Sequence, residues 1–344
     1  MIKYILPLIL IINISFAYKI ALFTPHHDSD KFWNLFSSFM QSACNDLDIE
    51  LDVYFADGSR GLMKKQIERA IKKGVDAVVF QNFKQAGESF VKVANELKTP
   101  AFLVNAKIDN LKPRDKYKYF IAQMLPDDEL AGYLLAKELI RKARELKKEP
   151  KILAIGGIVS DMASIERIKG LKRALREENL TINRLVSGNW QSDVAKRKFL
   201  HLIKLYKDSN VIWCANDATA LGVLDGVKEI DKKANRDIFV GGIDWTVEAL
   251  GEIKAGNLTT TVGGHFMEGA WASILLFDYL HGIDFKNISM KSKMSVINSV
   301  NIDFFIDKLS SNFDYIDFSI FSKIKNRDLS IYNFGYDEVA SQFK

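Results

Sequence analysis

The stretch from Val211 to Leu250 contains one structural pattern twice. Val211-Ile212-Trp213-Cys214-Ala215 is a short apolar run, Asn216-Asp217 is a polar break, and Ala218 to Lys228 has helical spacing at Ala220, Leu221, Leu224 and Val227. Ile238-Phe239-Val240-Gly241-Gly242-Ile243 repeats the run and Asp244-Trp245-Thr246 the break. Val247 to Lys254 then opens a helix with Val247, Leu250 and Ile253 on one face. Two strand-loop-helix units in tandem imply a parallel sheet, because parallel strands need crossovers and these crossovers are helical. Ligands of such sheets sit beyond the carboxyl ends of the strands, which is where Asn216, Asp217 and Asp244 fall.

Outward from this unit the alternation continues on the N-terminal side. Strands are expected at Lys19–Phe23, Leu51–Phe55, Ala77–Phe80, Pro100–Val104 and Tyr119–Ala122, with helical spacing between them, notably Phe32, Leu35, Phe36, Phe39, Met40 and Ala43. Asp127-Asp128 open a helix from Leu130 to Arg144, as an acidic cap should. Beyond the basic, proline-ended link Arg144–Pro150 a second series begins, with strands at Lys151–Ile155 and Ile182–Val186 and, after the tandem unit, Leu258–Val262. Two consecutive series of similar order point to two lobes of one architecture.

Composition limits the function. At 344 residues the chain suits two α/β lobes. Lysine and arginine exceed acids by 48 to 43, and this +5 is spread without a dense basic stripe, so nucleic-acid binding gains no support. Residues 1–17 read as a secretory signal peptide: a positive start at Lys3, an apolar run from Tyr4 to Ile14, and small residues at Ser15 and Ala17, with cleavage after Ala17. The run is shorter than the roughly 20 residues of a membrane span. Export to the periplasm is expected, and it argues against cytoplasmic regulators and nucleotide-fuelled enzymes. Cys44 and Cys214 read as small buried apolar residues rather than a disulfide. No metal-ligand spacing, nucleophile elbow or dinucleotide fingerprint occurs, so no metal or cofactor is expected and a secreted α/β enzyme is only the remote alternative.

Five motifs in order carry a resemblance: Asp30-Lys31-Phe32-Trp33, Glu166-Arg167-Ile168-Lys169-Gly170-Leu171, Trp190, Asn216-Asp217-Ala218-Thr219-Ala220-Leu221-Gly222, and Val240-Gly241-Gly242-Ile243-Asp244. Over residues 19 to about 300 the chain resembles the type I periplasmic binding proteins, in the sugar-binding branch that includes ribose, galactose and quorum-signal receptors. The resemblance implies an α/β fold of two Rossmann-like lobes with parallel sheets, joined by three crossover strands near Ala122–Asp127, Val262–His265 and Val296–Asn301. The corresponding division is 18–124 plus 264–298 for the N-terminal lobe and 125–263 plus 299–344 for the C-terminal lobe. It also implies a small ligand in the cleft, no catalysis, and a monomer whose partner is an ABC permease or a membrane sensor.

Sugars present apolar ring faces and rims of hydroxyls, so a binder needs flat aromatic surfaces and planar bidentate hydrogen-bonding groups. By resemblance Phe32, Trp33 and Trp190 take the stacking positions, Asn216 and Asp244 the hydroxyl-binding ones, with Asp30, Asn105, Trp245 and His265 beside them. Asp217 is expected to cap its helix and Arg167 to form an ion pair. Departures bear on the ligand. Asn105-Ala106 stand where ribose-type receptors carry Asp-Arg, Ile165 replaces an arginine, and Gly263-Gly264-His265 replace an arginine of the quorum-signal receptor. The tail from Asn301 to Lys344 holds ten aromatic residues, too many for a disordered segment; it reads as a wrap on one lobe or a docking surface for a partner.

Overall fold

The computed structural model describes residues 18–309 and 313–342; the expected signal peptide lies outside them. The first series runs β1 (Lys19–Thr24), α1 (Lys31–Asp46), β2 (Glu50–Phe55), α2 (Arg60–Lys72), β3 (Ala77–Gln81), α3 (Gly87–Glu96), β4 (Ala101–Val104) and β5 (Phe120–Pro126). The second runs α4 (Asp128–Glu145), β6 (Ile152–Gly156), α5 (Met162–Glu177), β7 (Ile182–Ser187), α6 (Ser192–Leu205), β8 (Val211–Cys214), α7 (Asp217–Val227), β9 (Phe239–Asp244), α8 (Val247–Lys254) and β10 (Thr260–Gly263). Then follow α9 (Glu268–Leu280), β11 (Ser289–Ser292), β12 (Ser295–Asn298), α10 (Ile302–Leu309) and α11 (Tyr336–Ala340).

Two six-stranded sheets result, ordered β11-β5-β4-β3-β1-β2 and β12-β10-β9-β8-β6-β7. Every pairing between these strands is parallel except β10 with β12. The central strands β3, β6 and β8 are apolar along most or all of their length because helices cover both faces. The edge strand β2 is only half-buried and alternates accordingly. This is the two-lobed α/β architecture of the type I periplasmic binding proteins.

The chain passes between the sheets at Pro126–Asp127, at Gly264, and at Lys293–Met294 between β11 and β12. The third passage thus precedes the expected position near Val296–Asn301, because Ser295–Asn298 is already an edge strand of the second sheet. Helix α9 has no amphipathic pattern in the sequence. It is buried on nearly every side because α1, the first sheet and the tail surround it, so its residues are mostly apolar all round.

The tail does not stay with one lobe. Its α10 packs on α8, while Phe318 and Phe321 pack against Trp271 of α9. Asp278 of α9 anchors it further, accepting from Ser322 Oγ at 2.5 Å, Lys323 N at 2.7 Å and Tyr332 OH at 2.7 Å. Both cysteines are buried and free; burial pushes the Cys44 thiol up to about 12.

Candidate functional site

A cavity of about 330 Å³ lies between the carboxyl ends of the two sheets. Phe32 and Trp33 enter it from the first turn of α1, which begins there because Asp30 accepts the Trp33 N–H at 3.0 Å. The two rings meet edge to face, with centroids 5.2 Å apart. Asn105 reaches it from the end of β4 in left-handed conformation (φ 67°), its amide oxygen accepting from Gln81 at 3.3 Å.

The opposite wall comes from the second sheet. Trp190, after β7, aims its indole into the cavity and donates Nε1–H to Asp161 Oδ2 at 2.9 Å. The ring lies so close to Gly157 that a Cβ there would collide with it. Asn216 caps α7 with a reciprocal capping box, its Oδ1 accepting the Thr219 N–H at 3.0 Å. Its Nδ2 is then the group available to a ligand.

Asp217 is not the cap. It is buried one residue on, where Oδ2 accepts from Thr246 N at 2.9 Å and Oδ1 from Thr261 Oγ1 at 2.7 Å. The first polar break of the tandem unit therefore holds the second in place. Burial pushes the Asp217 carboxyl up to about 6.

At the cavity floor Arg167 is fully buried. It donates to Asp128 Oδ1 at 2.7 Å and to the Ala215 carbonyl at 2.8 Å, lies 3.4 Å from Asp244 Oδ1, and meets His265 Nε2 at 3.2 Å. The expected ion pair is present with Asp128, and the same guanidinium also faces the cavity. It is placed there by the close crossing of α4 and α5, where a Cβ on Gly132 or Gly170 would strike the facing backbone. Burial pushes Asp244 well above its usual range, and burial together with Arg167 holds His265 well below its own. The neutral His265 stacks on Phe32 at 4.6 Å and accepts from Arg167 through Nε2. The proton then sits on Nδ1, which has no partner among the described residues.

Eight of the nine expected binding residues line this cavity; Trp245 does not. Its ring turns to the other side of the loop, donates to the Ser295 carbonyl at 3.1 Å and packs on Phe305 and Tyr336 of the tail at 5.1 and 5.6 Å. The indole thus fills the joint between a site loop and the tail. Not among those nine were His26, whose ring meets Phe83 edge-on and lines the cavity, and Asp161, whose Oδ1 is buried without a partner among the described residues. Paired histidines in a polar loop are usually solvated, and His27 is: it is exposed and sits by Asp57, whereas His26 turns inward. Across the cleft mouth, Lys31 pairs with Glu248 at 3.0 Å, Lys107 with Glu166 at 3.4 Å, and Gln85 donates to the Ser160 carbonyl at 3.2 Å, so the lobes touch.

Comparison with known proteins agrees with this fold. The family model for the periplasmic binding protein domain matches residues 20–283. The crystal structure of a periplasmic sugar-binding protein from Pseudomonas fluorescens is similar with a TM-score of 0.84 at 26% identity, covering 93% of this chain and 99% of that one. The galactofuranose-binding protein YtfQ of Escherichia coli (strain K12) is 25% identical over 203 residues, 58% of this chain and 62% of its own. The HTH-type transcriptional repressor PurR of Vibrio atlanticus (strain LGP32) is 32% identical over 124 residues, 36% of each chain. This chain therefore spans about a third of that repressor's length and under two thirds of the galactofuranose-binding protein's. With most of its length matched by the family model and two sheets meeting at one cavity, the chain belongs to the periplasmic binding protein domain family.

Proposed function

We propose that the chain captures a sugar or sugar-like molecule in the interlobe cavity, closes on it, and delivers it to an ABC permease from the periplasm. The observation that carries this reading is that flat rings and planar polar groups converge from both sheets: Phe32 and Trp33 from one, Trp190, Asn216 and Asp244 from the other. At about 330 Å³ the cavity is at the small end of the usual 300–1,000 Å³ range, which suits a single ring. Similarity to a periplasmic sugar-binding protein supports the same ligand class.

A ligand that touches both walls gains its full contacts only with the cleft shut, and it shifts the equilibrium by that difference in affinity. A second reading presents the closed form to a membrane sensor. The tail favours it, because a protein docked there would meet both lobes at once.

A thermal-shift screen of sugars and polyols on the chain from residue 18 tests the first reading. Ligand at a hundred times its Kd stabilises by about 2.7 kcal/mol. At least one sugar or cyclitol is expected to raise Tm by several degrees; no shift with any of them would rule the ligand class out.

A further inference from the structure

A second cavity, about 690 Å³, lies on the hinge side of the molecule beneath the tail. Its walls come from α9 at Trp271 and Leu275, from the segment between Asp284 and Lys293 that leads through β11 to the third passage, from Met124 and Gly264, and from the tail between Lys323 and Tyr336. It shares no lining residue with the interlobe cavity.

Its chemistry also differs. The floor is aromatic, with Phe334 stacked on Trp271 at 4.9 Å and Tyr332 beside Phe334 at 5.5 Å. The rim is cationic, with Lys286, Lys291, Lys293 and Lys323; Asp284 is the one acid among the lining residues, and Asp278 lies behind them, occupied by Tyr332 OH at 2.7 Å and Lys323 N at 2.7 Å. Asp284 is already taken by Arg114 through two hydrogen bonds of 2.7 and 2.8 Å. Lys291 pairs with Asp127 at 3.1 Å, whereas Lys286, Lys293 and Lys323 have no carboxylate partner among the described residues. Lys323 instead lies 4.5 Å over the Tyr332 ring, so its ammonium is held at the cavity by a cation–π contact.

Like charges gathered around an apolar hollow repel one another, and an anion placed among them relieves that repulsion. An aromatic floor in turn favours a flat apolar body. From this pairing we infer that the hinge cavity binds a small aromatic anion, an aryl carboxylate or its equivalent, at a site separate from the sugar cleft. An occupant would touch both passage segments and the tail together.

Calorimetric titration of the whole chain with 2-naphthoate tests the site, with 2-naphthylmethanol as the uncharged analogue of the same shape and inorganic phosphate as the anion without a ring. Naphthoate is expected to bind once per chain, and the alcohol and phosphate each about tenfold more weakly or worse, as loss of a charge-assisted bond or of stacking requires. Lys293→Gln with Lys323→Gln should weaken naphthoate about tenfold, and Asn216→Asp, in the other cavity, should leave it unchanged. Should the double variant fail to fold by circular dichroism, Lys286→Gln alone is expected to show a smaller loss. Absence of naphthoate binding, equal binding of the alcohol or of phosphate, lysine variants indistinguishable from the parent, or a loss caused by Asn216→Asp would each overturn the assignment.

Discussion

The Trp245 indole donates to the Ser295 carbonyl at 3.1 Å and so ties the loop that carries Asp244 to the strand entered from the third passage. Phe305 and Tyr336 of the tail close over the same ring. The tail thus supports a residue of the site without reaching the cavity. Phe305→Ala removes a buried ring from this joint and is expected to cost about 3 kcal/mol of stability, read as a lower urea midpoint. An unchanged midpoint would show that the tail is only loosely applied.

Trp190→Ala should weaken the cognate ligand by about 1–3 kcal/mol, tenfold or more by calorimetry, through lost stacking. Gly157→Ala should do the same at a distance from the ligand, because the added methyl displaces the indole. Wild-type affinity in both variants would remove Trp190 from the pocket.

Asn216 needs a more selective substitution, since alanine there would also delete a helix cap worth about 1 kcal/mol. Asn216→Asp keeps an oxygen for the Thr219 N–H and replaces the amide donor that faces the cavity. Ligand affinity is expected to fall about tenfold while the thermal midpoint holds within a degree or two. Loss of the fold without loss of binding would mean that Asn216 serves only as the cap.

Asp217 gives a pH signature. Its carboxyl rises from 3.8 to about 6 on burial. Between those values the folded chain holds a proton that the unfolded chain has released. The contribution is therefore fully present below 3.8 and is lost as pH climbs through about 6, by roughly 3 kcal/mol. Asp217→Asn removes this dependence, so the variant should gain on the parent as pH rises from 4 to 7 in urea melts. A constant difference between the two across that range would contradict the buried, raised carboxyl.

The alternating strands and helices were legible because each has its own period, and the polar breaks after β8 and β9 marked the place of the cavity. What the sequence hid depends on packing or on backbone conformation. Helix α9 shows no period because it is buried on nearly every side. Trp190 and Trp245 both follow a strand and share a left-handed φ of 64°, yet one ring lines the cavity and the other turns to the tail. Nothing in either local sequence separates these two outcomes. The helix cap likewise fell to Asn216 and not to Asp217, since both residue types cap helices and only the partners Thr246 and Thr261 draw Asp217 away.

On the proposed function, a sugar-like ligand is held between the two sheets. A crystal structure of the chain with the compound that most raises its Tm tests this most directly. Density is expected in the interlobe cavity with a ring face against Trp190 and hydroxyls within hydrogen-bond distance of Asn216 and Asp244. Density for that compound anywhere else, with the interlobe cavity unfilled, would contradict it.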